Sequence, residues 1–379
     1  MSLEYANQVL SHTKAVIKAV HFILDHRIGG PHVYVRTLAN ELRGTVDSVI
    51  ATTGRGPVTE FACINLRRWY RPLYVLEIPI NALWITLRFG MIDRPSLFHI
   101  HGAANIAPII AAVLCRMPVV WQFHETVANH RLLARVGSWL VRHTKHRILT
   151  VANSSRTAFD QLDATVVAGA VDTSFWNPNA INITYSTYPK AVPYSLRLLA
   201  VANLNPLKGL DLLIDSLPMV GLSIELEIVG AKLDTHSDFA HSLKERANKI
   251  TKAYPDIVIN FLGSLAATAI RARLAACEVF VLPSRSEACP IALLEAMAME
   301  RPCVVTDVGD IRDMLPTVQY PFICAPDSPK NLASALREMG DLDLNERMRI
   351  GRENRVIVET RFTSLHLAEN MFRCYKSLA

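Results

Sequence analysis

The 379 residues contain no apolar run long enough to cross a bilayer as a helix. The longest nearly apolar stretch, "IAPIIAAVLC" (106–115), falls well short of the roughly 20 residues a span needs and includes Pro108. Cysteine is sparse and scattered: seven residues, at 63, 115, 277, 289, 303, 324 and 374, with no CxxC pair. That argues against a disulfide framework and against a zinc ribbon, and it points to a reducing, cytoplasmic setting. The opening "MSLEYANQVLSHTKAVIKAV" has an early Glu4, no clear basic start and no small-residue cleavage site behind an apolar block, so it does not read as a signal peptide. GxGxxG, GxxxxGK[ST] and HExxH are all missing, which weakens a dinucleotide, P-loop or zinc-hydrolase reading. Acidic residues are scarce in the first half. Residues 1–190 hold 4 Lys and 15 Arg against 6 Asp and 5 Glu, a net +8, while the remainder holds 21 basic and 23 acidic residues, a net −2. The first half should attract anions: a phosphorylated ligand, nucleic acid or an anionic membrane surface.

What is present fills two domains. The chain is too long for one ordinary core, and half of it is hydrophobic. Short β-like runs alternate with helical stretches. "AVIKAVHFIL" (15–24), "SLFHIHG", "PVVWQFHE" and "RILTVANSS" read as strands ending in polar clusters, and "PHVYVRTLANELRG" as a helix. The rhythm breaks at "WNPNAINITYSTYPKAVPYS" (176–195), which reads as a linker, and restarts at "LRLLAVANL". The expected fold class is α/β, two Rossmann-like α/β/α domains with a cleft between them. The expected division is 1–190 and 191–360, followed by a terminal segment, 361–379. Open parallel sheets bind ligands outside the carboxyl ends of their strands, so the polar clusters there are the candidate sites.

Several constellations stand at such ends. Gly29 and Gly30 follow the first strand, where glycines let backbone approach a ligand; an ordinary turn is the plainer reading. Ten of the thirteen histidines precede residue 180. His99 and His101 share a strand without a carboxylate at metal spacing, so no metal site is expected. His124, at the end of "VVWQF", is the best functional candidate among them. Lys208, in "NLNPLKGLDLLI", lies near a helix start, where it opposes the helix dipole unless an anion sits between them. Glu287 lies in a strand-to-helix loop, and Glu295 lies eight residues on, inside the apolar run "IALLEAMAM", with Pro290 read as the first helical residue. A buried carboxylate there needs a partner or a ligand hydroxyl. Two further features read as decoys. "DLD" (341–343) has the DxD form that holds a metal with a diphosphate but sits in a charged loop. "NLRRWYRPLYV" (65–75) interleaves arginines and aromatics, which suits nucleic-acid bases, anionic lipid or plain surface.

Together these residues resemble the retaining GT-B glycosyltransferases of the family 4, or glycosyl transferases group 1, type. The run "VFVLPSRSEACPIALLEAMAMERPCVVTD" is similar to their C-terminal signature of two glutamates separated by seven residues, then "AMA" and a "PVV" strand. "GGPHVYVRTLANEL", "VVWQFHE", "VVAGAVDTSFWNP" and "LLAVANLNPLKGLDLLIDSL" extend the similarity over most of the chain, and "RENRVIVETRFTSLHLAENMFRCYKSL" resembles the family's terminal helices, which implies a helix over 361–379 packing back on the first domain. The resemblance implies a nucleoside-diphosphate-sugar donor, retention of configuration and no cofactor or metal. It implies Glu295 on ribose hydroxyls, Glu287 on the donor sugar and main-chain N–H groups of Ala288, Cys289 and Ile291 facing sugar and phosphate. Lys208 would meet the departing diphosphate, His124 the reacting sugar, and Gly29 and Gly30 the phosphate or acceptor. Three positions depart from the pattern. Asn203 stands where an arginine is usual, with Arg285 a nearby replacement cation. Pro290 removes an N–H donor, and Glu300 stands where glycine is usual. The expected partners are the nucleotide sugar, a sugar, phosphorylated or lipid-linked acceptor, and an anionic membrane surface, with nucleic acid excluded; the setting is cell-surface polysaccharide or glycolipid synthesis. A nucleotide-sugar epimerase or another GT-B enzyme such as a phosphorylase remains an alternative, as does a non-catalytic nucleotide-sugar-binding protein, which Asn203 would favour.

Overall fold

The computed structural model describes residues 17–24, 30–54, 59–65, 74–124, 131–157, 163–181 and 196–379, and every structural statement here concerns these residues. The chain divides into two compact units, residues 1–170 with 364–379, and residues 171–363.

In the first unit seven parallel strands run β1 (Ile17–Ile23), β2 (Val46–Thr53), β3 (Phe61–Cys63), β4 (Leu97–His101), β5 (Val119–Phe123), β6 (His146–Thr150) and β7 (Ala164–Val166). Their spatial order is β3-β2-β1-β4-β5-β6-β7. Five helices connect them: α1 (Gly30–Glu41), α2 (Tyr74–Ile85, continued as a π-helix over Thr86–Ile92), α3 (Ala107–Cys115), α4 (Arg131–Val141) and α5 (Asn153–Arg156). The central strands are buried on both faces, as parallel sheets require. The pleat sorts their side chains. Val20, Phe22, Phe98, Ile100, Trp121 and Phe123 join the core that includes residues of α3 and α4. Ala19, Ile23, Leu97 and Val120 point the other way, into a core shared with Tyr34, Val35 and Leu38 of α1.

The second unit repeats the scheme with β8 (Leu196–Val201), β9 (Ile224–Val229), β10 (Ile257–Gly263), β11 (Val279–Leu282), β12 (Cys303–Thr306) and β13 (Ile323–Cys324), in the order β10-β9-β8-β11-β12-β13. Its helices are α6 (Leu210–Val220), α7 (Ser237–Ala253), α8 (Ala267–Ala276), α9 (Ile291–Ala298), α10 (Ile311–Met314), α11 (Pro329–Asp341) and α12 (Leu344–Arg361). The last helix, α13 (Ser364–Leu378), lies in the first unit, where Leu367, Met371, Phe372 and Tyr375 join the core of α1. Ser364 Oγ donates to Glu41 at 2.6 Å and Lys145 Nζ to the Leu378 carbonyl at 2.9 Å, which fixes both ends of α13.

Two Rossmann-like α/β units are therefore present. The unit boundary falls at Ala170, ahead of the proline-rich stretch. The physical reason is that residues 171–176 are held by the second unit. Val171 N donates to the Phe362 carbonyl, the Arg271 guanidinium stacks 4.3 Å from the Phe175 ring, and Arg355 donates to the Trp176 carbonyl at 3.0 Å. Residues 182–195 of the expected linker lie outside the described residues.

Candidate active site

In the second unit the chain crosses over between β8 and β11, the neighbouring central strands, and the loops that follow them leave the sheet side by side. This is the switch point at which doubly wound sheets bind ligands. After β8, Asn205 caps a short 3-10 turn, Pro206–Lys208, accepting from Leu207 N at 2.8 Å. Gly209 then turns with φ 61°, and a Cβ there would lie 1.9 Å from the Pro283 carbonyl oxygen, so glycine is what lets the two loops touch. Arg285 N donates to the Leu207 carbonyl at 2.8 Å and locks them together.

This contact brings Lys208 to Glu287. Lys208 Nζ lies 2.8 Å from Glu287 Oε1, and Ser284 Oγ donates to the same oxygen at 2.7 Å. Glu287 is buried, while the Lys208 side chain keeps 30% of its surface exposed. The pair therefore offers a half-exposed ammonium at the sheet's carboxyl edge, preoriented by a carboxylate behind it. The sequence singled out both residues but not their contact.

Arg285 is committed elsewhere. Its guanidinium donates twice to Asp211, at 2.8 and 2.9 Å, once to Asp327 at 2.6 Å and once to the Pro206 carbonyl at 2.6 Å. Burial opposes ionisation of Asp211, but the Arg285 hydrogen bonds and charge outweigh it and hold that carboxyl below its ordinary value. Arg285 thus acts as the clamp that shapes the Lys208 loop. Asn203 is also structural: its Oδ1 accepts from Ala231 N at 3.1 Å, tying the loop after β8 to the loop after β9.

Pro290 is the N-cap of α9, with extended backbone, so the helix begins one residue later than the sequence suggested, at Ile291. Ala288 and Pro290 are buried, and Cys289 is half-buried. The amides of Ile291 and Ala292 have no intrahelical acceptor and add partial positive charge beside the loop. Glu295, half-buried in the second turn, has no hydrogen-bond donor on its carboxylate among the described residues, and desolvation pushes its carboxyl up to about 8. Glu300 has φ 56° at the left-handed position that follows the helix end. Arg301 N donates to the Ala296 carbonyl and Glu300 N to the Met297 carbonyl, the paired bonds of a Schellman stop. Beside the switch point a hollow of about 390 Å³ is lined by Leu204, Gly230, Lys232, Lys244 and Phe261. The Asp343 of "DLD" is an N-cap: its carboxylate accepts from Glu346 N and starts α12.

The first unit holds a buried polar layer at its own switch point, between β1 and β4. Register sets His21 beside His99 and His101 beside Gln122, all on the face covered by α1 and α13. Hydrogen-bond chemistry orders one chain: Tyr375 Oη donates to His99 Nδ1 (2.7 Å), His99 Nε2 to Gln122 Oε1 (2.9 Å), and Gln122 Nε2 to Tyr34 Oη (2.8 Å). A second chain joins His124 Nε2 to His101 Nδ1 (2.8 Å) and His101 Nε2 to His21 Nδ1 (3.3 Å), and leaves His21 Nε2 buried without a partner. Burial pushes His21 and His124 down to about 3, and His99 and His101 well below the ordinary imidazole value. The layer is neutral. His21, His99 and His101 place ring nitrogens within 4.8 Å of one another, a spacing a metal could use, but such an ion would displace hydrogen bonds His99 makes to Tyr375 and Gln122. Sequence reasoning picked out His99, His101 and His124 but missed His21, Tyr34, Gln122 and Tyr375; alternation of His21 with Val20 and Phe22 was the signal. Gly30 opens α1, and a Cβ there would meet nothing within 4 Å, so the protein's own packing does not require glycine at that point. Gly29, Glu125 and residues 66–73 of the arginine–aromatic run lie outside the described residues.

Two sequence profiles match this chain: "Glycosyltransferase Family 4" over residues 28–175 and "Glycosyl transferases group 1" over residues 195–341. The glycogen synthase of Mycobacterium tuberculosis is 28% identical over 270 residues, 65% of this chain and 61% of that protein. A sulfoquinovosyl transferase of Arabidopsis thaliana is 24% identical over 330 residues, 81% of this chain and 61% of that protein. The chain thus spans about three-fifths of the length of these curated relatives. Among solved structures, Anabaena Alr3699/HepE in complex with UDP and glucose superposes with a TM-score of 0.81 at 18% identity, covering 95% of this chain and 100% of that one. With profile matches spanning parts of both units and a shared two-unit fold, the chain belongs to the group 1 glycosyltransferases of the GT-B class.

Proposed function

We propose that the chain transfers a glycosyl group from a nucleoside-diphosphate sugar to an acceptor hydroxyl, with retention of configuration and without a metal or cofactor. The observation that carries this reading is the Lys208–Glu287 pair at the switch point of the second sheet. In the proposed step the bond between the anomeric carbon and the diphosphate oxygen breaks, and negative charge gathers on the leaving phosphate. Lys208 and the free amides at the start of α9 are fixed donors for that charge, which is where electrostatic catalysis acts most strongly. The acceptor oxygen then bonds to the anomeric carbon from the same face, and its proton passes to the departing phosphate. The Glu295 carboxyl group binds ribose hydroxyls and the Glu287 carboxylate the donor sugar; the two side chains bind hydroxyls and do not flank the bond as a glycosidase pair would. His124 contacts the reacting sugar.

The relatives support the donor class: HepE was crystallised with UDP and glucose and with UDP-glucose, and one curated relative is named a sulfoquinovosyl transferase. The basic first half suits a phosphorylated or lipid-linked acceptor, with the chain peripheral at a cytoplasmic membrane face in polysaccharide or glycolipid synthesis. Thermal shifts measured over UDP-, GDP- and ADP-sugars test the proposal. One donor series should stabilise the chain by several degrees, and the anomeric configuration of the transferred sugar should match the donor's. No shift with any of the three series would remove the assignment. A second reading, a binder that does not transfer, is favoured by Asn203, which brings no cation to the diphosphate and is tied to Ala231. Slow hydrolysis of the bound donor would argue against it.

A further inference from the structure

The outer surface of the first unit's α2–α3–α4 layer is apolar where a soluble surface should be polar. Along α2 and its π-helical continuation, every exposed position from residue 76 to residue 92 carries an apolar side chain. Leu76, Ile80, Leu83, Leu87 and Met91 recur at helical spacing, and Trp84 stands beside them, with Met91 at 77% and Leu83 at 59% exposure. The polar residues Glu77 and Asn81 of the same helix are buried instead. Two turns of α4 repeat the pattern, with Leu132, Val136 and Trp139 exposed at i, i+4 and i+7. Leu114, at the end of α3, is also exposed. The exposed large apolar side chains of the second unit are scattered over several elements, so this concentration is particular to one face of the first.

Basic residues predominate along this face. Residues 74–142 carry six Arg against three acids. Of those acids, Glu77 is buried, Asp93 is paired with Lys18 and Arg88, and Glu125 lies outside the described residues. Arg94 donates to the Cys115 carbonyl and so stands beside Leu114 and exposed Arg116. Arg135, one turn before Trp139 on α4, and Arg142, just past the end of that helix, are both exposed.

We propose that this face docks on an anionic lipid bilayer, with Leu83, Trp84, Met91 and Trp139 entering the interface and the arginines meeting headgroup phosphates. Tryptophan at the apolar–polar boundary and arginine beside it match the composition of an interfacial face. A second copy of the chain fits less well, because a twofold contact would lay these arginines on their own kind. Among the described residues no helix is long and apolar enough to cross a membrane, and the proposed contact is one of surface attachment. The proposal rests on the transferase reading only for its consequence: an acceptor carried by a lipid would be presented at this face.

The test is co-sedimentation of the full chain with vesicles of phosphatidylcholine containing about one-third phosphatidylglycerol, against vesicles of phosphatidylcholine alone. The expected result is binding to the anionic vesicles that weakens as salt rises and falls about tenfold or more in Leu83→Glu/Met91→Glu. Arg135→Glu/Arg142→Glu should weaken binding in the same direction. Circular dichroism and nucleotide-sugar thermal shifts, measured in parallel, should be unchanged in both variants, which separates loss of docking from failure of the donor site. Absence of binding to anionic vesicles overturns the proposal, as does equal binding by the variants. A wild-type dimer in light scattering that Leu83→Glu/Met91→Glu dissolves, with no vesicle binding, would assign the face to a second copy.

Discussion

Glu295 holds its proton at neutral pH in the folded chain, because desolvation pushes its carboxyl up to about 8. The sign follows from linkage. The unfolded carboxyl loses its proton near its ordinary value, while the folded one keeps it until about 8, so this residue subtracts stability as pH rises across that window. Glu295→Gln should therefore melt at the wild-type temperature near pH 4 and above it near pH 8, while weakening nucleotide-sugar binding. An equal melting difference at both pH values would contradict the assignment. Fully buried His21 acts in the opposite window. It stays neutral in the fold down to about 3, whereas its unfolded form takes up a proton below about 6.5. Its contribution is complete above 6.5 and is lost as pH falls, at about 1.4 kcal/mol per pH unit. His21→Phe, which removes the ring whose Nε2 has no partner, should flatten the acid limb of a denaturation-versus-pH profile; an unchanged slope would refute that role.

At the scale of elements, α9 shows how the chain tolerates a departure from its family's pattern. Glu300 occupies the left-handed position of a Schellman stop, where glycine carries no Cβ penalty. Glu300→Gly should raise stability by roughly 1 kcal/mol in denaturant melts without changing donor affinity. A loss of stability would mean that the Glu300 side chain contributes more than its backbone strain costs. The strands that carry the site were legible because burial on both faces leaves nearly unbroken apolar runs, as in "LRLLAVANL" and "EVFVLPS". Glu287, Glu295 and Lys208 stood out for breaking local pattern at strand and helix ends. Their partners did not. Asp211, in α6, and Asp327, after β13, meet Arg285 of the loop after β11 across 74 and 42 residues of chain, and no period encodes such distances. The apolar outer face of α2 was equally hidden, since apolar residues at helical spacing such as Leu76, Ile80 and Leu83 look the same in sequence whether a fold turns them inward or outward.

The molecule as a whole repeats one device. Each unit gathers its chemistry where the chain crosses over between adjacent central strands, β1 and β4 in the first, β8 and β11 in the second. The first switch point is filled by neutral, hydrogen-bonded imidazoles and two tyrosines, the second by a half-exposed ammonium held by a buried carboxylate. That division suits a molecule in which the second unit takes the charge of the donor and the basic first unit takes the acceptor. The most direct test of this account is the turnover of Lys208→Met with the donor that the thermal-shift screen identifies. Glu287 keeps its bond to Ser284 in that variant, so the loop should stay folded. The account predicts a folded variant that melts below wild type, because buried Glu287 loses its cation, and a fall in kcat of about a hundredfold or more where it is folded; wild-type turnover in the folded variant would contradict it.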